Sequence, residues 1–315
     1  MLSIGQERPD KLRKGDRLAA LLWSLSAQIF SLLGPRVTFR FFKALGGRLM
    51  RRSSNIGLIS HNVGLAYKDD TAQRREEIVE GVVSALPLAI AELMLQPYWR
   101  RCSEGLTRHN LTADWLQPYA SNEKQAIYLL GHFSGWEANI MTLSRHLTNT
   151  VAVYAPPKNP LLEKYFREGR TDLSGKWTLW PRDMRGLQGR LAEEFSRGKS
   201  LIYALDAPLP GPMLPFMGLN SPTTLRPYKL AAETGAPIIP LNCGRDRHGL
   251  GFWIEAVQPI HAKGSSSDDV IELATTMNGI YSDWIRANPD HWYWTGQFFK
   301  PNRIWEARQE SGLNS

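Results

Sequence analysis

Residues 126–140 read AIYLLGHFSGWEANI, and this stretch decides the fold. An apolar run without helical spacing ends at Gly131 and His132, a short loop follows, and Trp136 and Glu137 open a helical stretch. A short continuous apolar run has the pattern of a strand buried on both faces, the kind found in parallel sheets covered by helices. On one continuous helix, five residues would turn the His132 and Glu137 side chains about 140° apart. They converge only if His132 ends the strand and Glu137 lies in the first turn of the following helix. In that arrangement a neutral imidazole can take a proton from an attacking hydroxyl, while the carboxylate orients the ring or stabilises its protonated form. Without its surroundings, a histidine beside a strand end is more often a plain hydrogen-bonding group than a catalytic base.

Further along the chain the same alternation repeats. Apolar runs at 150–155, 176–180, 200–205, 236–243 and 252–257 are separated by helical stretches at 139–147, 159–170, 185–198 and 225–235. The last two helical stretches end at Gly, as helices often do. This is the βαβ pattern, and it predicts an α/β fold with a mostly parallel central sheet flanked by helices. Upstream, residues 73–98 read as helical with a break near Pro87. Residues 207–224 are too rich in Pro and Gly for regular structure and follow a strand directly, so they are expected to form a long loop walling a pocket. Residues 264–269 read as a short polar turn.

The amino terminus has a different character. Lys11, Arg13, Lys14 and Arg17 precede an uncharged stretch, 18–35, and basic residues resume at Arg36, Arg40 and Lys43. The stretch is slightly short for a membrane-spanning helix and is interrupted by Ser24, Ser26, Gln28 and Ser31. Alternating basic and aromatic residues continue beyond it, as in an interfacial helix. Residues 1–50 are therefore assigned to a basic segment with an N-terminal membrane-associated helix, and 51–315 to one catalytic-size domain. Whether 18–35 cross the bilayer or lie along it stays open at this level.

Composition narrows the function classes. With 315 residues, 43% of them hydrophobic, the chain can bury a large core, which excludes disorder over its length. The formal net charge of +8 favours acidic company, either an anionic lipid surface, phosphorylated molecules, an acidic carrier protein or nucleic acid. No nucleic-acid-binding module accompanies that charge. Cys102 and Cys243 lie far apart, with neither disulfide-framework nor zinc-site spacing.

With these residues in view, the chain resembles the lipid A biosynthesis (lauroyl/myristoyl) acyltransferase family, within the wider lysophospholipid-type acyltransferases marked by His-x4-Asp/Glu. GHFSGWE (131–137) is similar to the signature motif, and residues 55–69, 154–170, 200–224 and the segment NPDHWYWT (288–295) resemble further conserved stretches. The resemblance implies transfer of an acyl group from acyl carrier protein or acyl-CoA, as co-substrate, to a hydroxyl of a membrane lipid acceptor such as a phosphorylated glycolipid. It implies no other cofactor, no metal and no covalent acyl-enzyme. HFSGW around Ser134 does not form a nucleophile elbow. The expected place is the cytoplasmic face of a bacterial inner membrane. Arg170 matches the family's arginine, and Arg182 and Arg185 are inferred from their position as further substrate clamps, since guanidinium groups bind phosphate in bidentate fashion. Asp206 ends a strand and could orient an arginine or contact a substrate hydroxyl. Leu214, Phe216 and Met217, with Trp136 and Trp180, are candidates to line an acyl channel, or else ordinary core.

The departures from the family pattern are equally specific. Tyr154-Ala155-Pro156 stands where tyrosine-arginine-proline is common, Asp206-Ala207-Pro208 where aspartate-glutamine-aspartate is, and Gly296 and Gln297 where a histidine-arginine pair is. Losing polar contacts while keeping the His-x4-Glu motif suggests a smaller or less phosphorylated acceptor. It also leaves room for a catalytically silent lipid-binding or scaffolding homologue.

Overall fold

The computed structural model describes residues 12–102, 107–171, 177–182, 184–206, 210–246, 250–296 and 298–299. Lys11, Ala207, Pro208 and Gln297 of the sequence reading lie outside these residues. Helix α1 (Asp16–Phe41) begins after Gly15, and the Asp16 carboxylate accepts the Arg13 backbone N–H at 2.7 Å. It kinks at Gly34, whose φ of 78° and ψ of 170° suit glycine alone, just before Pro35, which has no N–H to continue the ladder. The Thr38 hydroxyl lies 3.1 Å from the Phe30 carbonyl and 2.8 Å from that of Gly34, compensating the break. A π-helical turn (Phe42–Gly46) leads into α2 (Gly47–Met50), and the whole span is long and apolar enough to cross a membrane. Next come α3 (Asn55–Ala66), α4 (Ala72–Ala85), α5 (Pro87–Met94) and α6 (Gln96–Cys102), with Pro87 starting α5 as a first-turn residue.

The α/β part contains strands β1 (Thr107–His109), β2 (Ile127–Leu130), β3 (Thr150–Tyr154), β4 (Trp177–Pro181), β5 (Ser200–Ala204), β6 (Met213–Phe216), β7 (Leu219–Pro222), β8 (Ile238–Arg245) and β9 (Phe252–Ala256). Its helices are α7 (Gln117–Ala120), α8 (Trp136–His146), α9 (Pro160–Thr171), α10 (Leu187–Ser196), α11 (Arg226–Thr234) and α12 (Ser267–Ala287). Seven strands form one sheet in the order β1-β9-β8-β2-β5-β3-β4, parallel throughout except for the β8–β9 pair. The α/β class with a mostly parallel sheet is thus present as the sequence pattern required.

Three local expectations change. Residues 213–222 form a β6–β7 hairpin instead of an irregular loop, closed by Met217 (φ 56°) and Gly218 (φ 79°) in the left-handed region that two-residue hairpin turns use. Its prolines are tolerated because an isolated two-stranded ribbon has outward-facing edges where no ladder N–H is needed. The polar run at 264–269 is a helix start: Ser266 and Asp269 form a reciprocal capping box for the 21-residue α12. Strand β1 carries no apolar run at all and pairs in parallel with β9 at the sheet edge.

The core sits on both faces of β2, all four of whose residues are buried. From α12, the Tyr281 hydroxyl donates to the Leu129 carbonyl at 2.6 Å. From α3, the Asn62 amide donates to the carbonyls of Trp294 and Gly296, both at 2.8 Å, and ties down the segment after α12. A second apolar cluster of Phe39, Ala91, Leu95, Trp99, Ala138, Met141 and Phe252 joins α1 to α5, α6, α8 and β9.

Candidate active site

Parallel pairing of β2 with β5 sets Leu130 opposite Ala204, so continuing both chains by two residues brings His132 opposite Asp206. The ladder does continue, with Leu205 N–H donating to the Leu130 carbonyl at 3.0 Å. At that edge one Asp206 carboxylate oxygen lies 2.7 Å from His132 Nδ1, while the other accepts the His132 backbone N–H at 2.6 Å and the Trp292 indole N–H at 2.7 Å. The Asp206 side chain is 3% exposed and that of His132 35%, so the carboxylate is enclosed and the imidazole opens outward. Burial pushes the Asp206 pKa up, but the His132 charge and the N–H donors outweigh it and hold the carboxyl below its ordinary value. Burial likewise lowers His132, yet the Asp206 charge and hydrogen bond, with the charge of Glu137, raise it above 6.5. An ionised carboxylate can only accept, so Nδ1 carries the proton and Nε2 presents its lone pair.

Glu137 lies where the motif spacing places it, buried in the first turn of α8. The turn into that helix needs Gly135, whose φ is 80° and whose absent Cβ would come within 3.0 Å of the Gly244 carbonyl oxygen. The imidazole's Nδ1 partner, however, is Asp206 rather than Glu137, which acts on the ring through its charge. Asp206, read from sequence as a substrate contact, has its carboxylate taken by His132 and Trp292. Nothing in one sequence marks residues 74 apart as partners; the clue was that both follow strands ending at the same sheet edge.

His132 also borders a cavity of about 160 Å³, roughly ten times the room one water needs. Its walls are apolar: Leu130, Trp136, Ile140, Val153, Trp177 and Leu179 among them. Trp136 meets the imidazole edge-on at 5.2 Å between centroids. The exposed residues Ala155 and Arg182 stand at the mouth. The other expected channel residues are placed elsewhere. Trp180 is buried with the Arg190 guanidinium 5.5 Å over its ring, and Leu214 and Met217 pack in the core. Phe216 sits edge-on to Trp292 at 5.5 Å and walls a small recess behind Asp206. Of the three candidate clamps, Arg182 alone of the described side chains reaches the cavity. Arg185 is an exposed turn residue, and the Arg170 side chain lies outside the description, although its backbone ends α9.

Two further groups escaped the sequence reading. Trp292 supplies the second side-chain hydrogen bond to Asp206. Glu92 and Arg245 form a fully enclosed ion pair, with side chains 0% and 8% exposed, beneath the loop that carries Ser134. Burial raises the Glu92 pKa against the pull of Arg245. The Arg245 backbone N–H reaches the Ser134 hydroxyl at 3.3 Å, so this pair supports the turn between His132 and Glu137.

A family model described as bacterial lipid A biosynthesis acyltransferase matches residues 11–301 of the chain. No curated protein matches it.

Proposed function

The chain belongs to the bacterial lipid A biosynthesis acyltransferase family, and on that premise we propose that it moves a fatty acyl group from an acyl carrier protein or coenzyme A thioester to a hydroxyl of a (glyco)lipid. Family membership implies an acyltransferase with an acyl donor and a lipid acceptor. The finer assignments are our reading.

His132 acts as general base. Its Nε2 takes the proton of the acceptor hydroxyl as the oxygen attacks the thioester carbonyl; the C–S bond then breaks and the thiolate leaves with a proton returned from the imidazolium. Asp206 holds the Nδ1–H tautomer and offsets the positive charge that forms, and Glu137 adds its charge to the same end. A thioester is already activated, so a positioned base and charge stabilisation suffice without an acyl-enzyme. The apolar cavity beside Trp136 takes the acyl chain. Arg182 at its mouth meets the charged part of donor or acceptor. Arg182 as the one arginine of the described side chains at the cavity, together with Ala155 where the family pattern has arginine, suits an acceptor carrying fewer phosphates than a lipid A precursor. The reaction belongs at the cytoplasmic face of the inner membrane, where both thioester donors are available.

The observation that carries this reading is a histidine fixed through Nδ1 by a buried carboxylate, its Nε2 without a hydrogen-bond partner among the described residues, beside an apolar cavity. Radiolabelled acyl thioesters incubated with the full-length protein and bacterial lipid extract test it. A new acylated lipid should form with the native chain and be lost in His132→Ala. Product formation at the native rate in that variant overturns the mechanism, and no product with any lipid fraction favours a silent lipid-binding homologue.

A further inference from the structure

Helix α1 exposes the residues that a soluble helix buries. Leu18, Leu21, Leu22, Leu25, Ile29 and Leu32 are 47–82% exposed and fall within about 120° of one another on a helical wheel. Beyond the Gly34 kink, Val37, Phe41, Leu45 and Leu49 continue the exposed apolar row at 44–60%. The opposite side packs on the domain, half-buried at Asp16, Ala20 and Trp23 and buried at Ala27, Ser31, Pro35, Thr38 and Phe39. Asn159, just before α9, donates its amide to the Asp16 carbonyl at 3.0 Å. Trp23 packs edge-on against Phe166 of α9 at 5.1 Å. Ala27 and Ser31 are buried, Ser31 facing the Met94 carbonyl at the end of α5, and Phe39 lies in the second apolar cluster.

A helix that spans a bilayer must leave its domain or carry it into hydrocarbon. Leaving would break every one of these contacts. Carrying the domain along would take exposed Lys158 and Lys164, beside and on α9, into the apolar layer at several kcal/mol per charge. An exposed apolar stripe on one side with a docked opposite side is the geometry of a helix lying in the interface. The charge agrees. Every Lys and Arg from Arg13 to Arg52 is exposed, and Asp16 is the lone acidic residue in that stretch.

We propose that α1, the π-turn and α2 form one kinked anchor lying in the plane of an anionic bilayer surface, with its leucine row in the acyl layer and its arginines and lysines among the headgroups. The kink at Gly34 lets one surface follow the domain and the membrane together. The anchor's amino-terminal half sits on α9, which follows β3, and Tyr154 and Ala155 at the end of β3 line the cavity beside His132, so that cavity opens beside the membrane plane. The inference stands on packing and charge and does not depend on the proposed reaction.

Two measurements on the full-length protein test it. In sealed right-side-out and inverted membrane vesicles, Arg13→Cys and Arg52→Cys, each in a Cys102→Ser background, are treated with a membrane-impermeant maleimide. Both sites should label from the same side, and labelling from opposite sides overturns the proposal in favour of a span. In flotation assays the protein should bind phosphatidylglycerol vesicles far better than phosphatidylcholine vesicles. Arg36→Gln/Arg40→Gln/Lys43→Gln should weaken phosphatidylglycerol binding on the order of a hundredfold. Equal binding to both lipids, or an unchanged triple variant, overturns it. His132→Ala should float like the native chain, so failure of the anchor and failure of the chemistry are read separately.

Discussion

The sheet edge at His132 and the outer face of α1 break the ordinary rule of burial in opposite senses. At the edge, charged groups are enclosed: Asp206, Glu137, Glu92 and Arg245 are all nearly inaccessible. On α1, large apolar groups are open. Asp206 is met by three N–H groups and Glu92 by the Arg245 guanidinium, although Glu92 Oε2 and Arg245 Nε keep no hydrogen-bond partner among the described residues, whereas the leucines of α1 stay open against the described residues. The difference teaches that an enclosed polar cluster is an internal device whose parts depend on one another. An uncompleted apolar face, in contrast, is a surface awaiting something outside the molecule.

That contrast can be broken by substitution. The largest effect is expected for His132→Ala, which should lower kcat by about 10³–10⁴-fold at a stability cost of about 1–3 kcal/mol, because Asp206 loses the imidazole and keeps its backbone N–H and Trp292 donors; kcat within tenfold of native would remove His132 from the chemistry. Arg245→Met should destabilise the fold by about 3–5 kcal/mol in urea titrations, since it leaves Glu92 buried and unpaired. The double variant Glu92→Leu/Arg245→Met should recover most of that loss, and equal stability of single and double variants would contradict an interdependent cluster.

Asp206→Asn should cost about 10²–10³-fold in kcat and change the pH profile. A base must be unprotonated to act, so kcat/KM rises with pH through the His132 pKa, which stands above 6.5 in the native chain. Removing the Asp206 charge lowers that pKa and moves the acid limb to lower pH. An unmoved limb would mean that another group controls it. Glu137→Gln should shift the limb in the same direction by less, with about a tenfold rate loss, because Glu137 acts on the ring through charge alone. The smallest effect on folding is expected for Leu25→Ser on α1, which should leave stability within about 0.5 kcal/mol. A loss of several kcal/mol there would show that the leucine row is held by the chain itself.

Much of the fold was legible in the residues. The apolar runs from β2 to β9 and the helices between them follow from hydrophobic period, because a strand buried on both faces has no room for polar residues. The features missed lacked that signal. Strand β1 is Thr-Arg-His, a short edge with nothing to bury, and the β6–β7 hairpin hides behind prolines that an outward-facing ribbon tolerates. The start of α12 looked like a polar turn because capping residues are the same types that make turns. At the site, the His-x4-Glu spacing, the strand-to-helix turn and Trp136 as a cavity residue were readable, while the rest of the cavity beside His132, lined from α8, β3 and β4, carried no mark that sets it apart from ordinary core.

By itself the sequence determined the local states: which runs become strands, where His132 ends one, and that the amino-terminal helix is both greasy and basic. Tertiary structure alone decided the pairings. A parallel sheet gathers the carboxyl ends of its strands at one edge whatever their distance along the chain, so β5 delivers Asp206 to a histidine 74 residues earlier. The docking of α1 on α5, α6 and α9 likewise selects which of its faces is left open. Periodicity records a residue's own preference for water or oil, and only the folded arrangement supplies its neighbour.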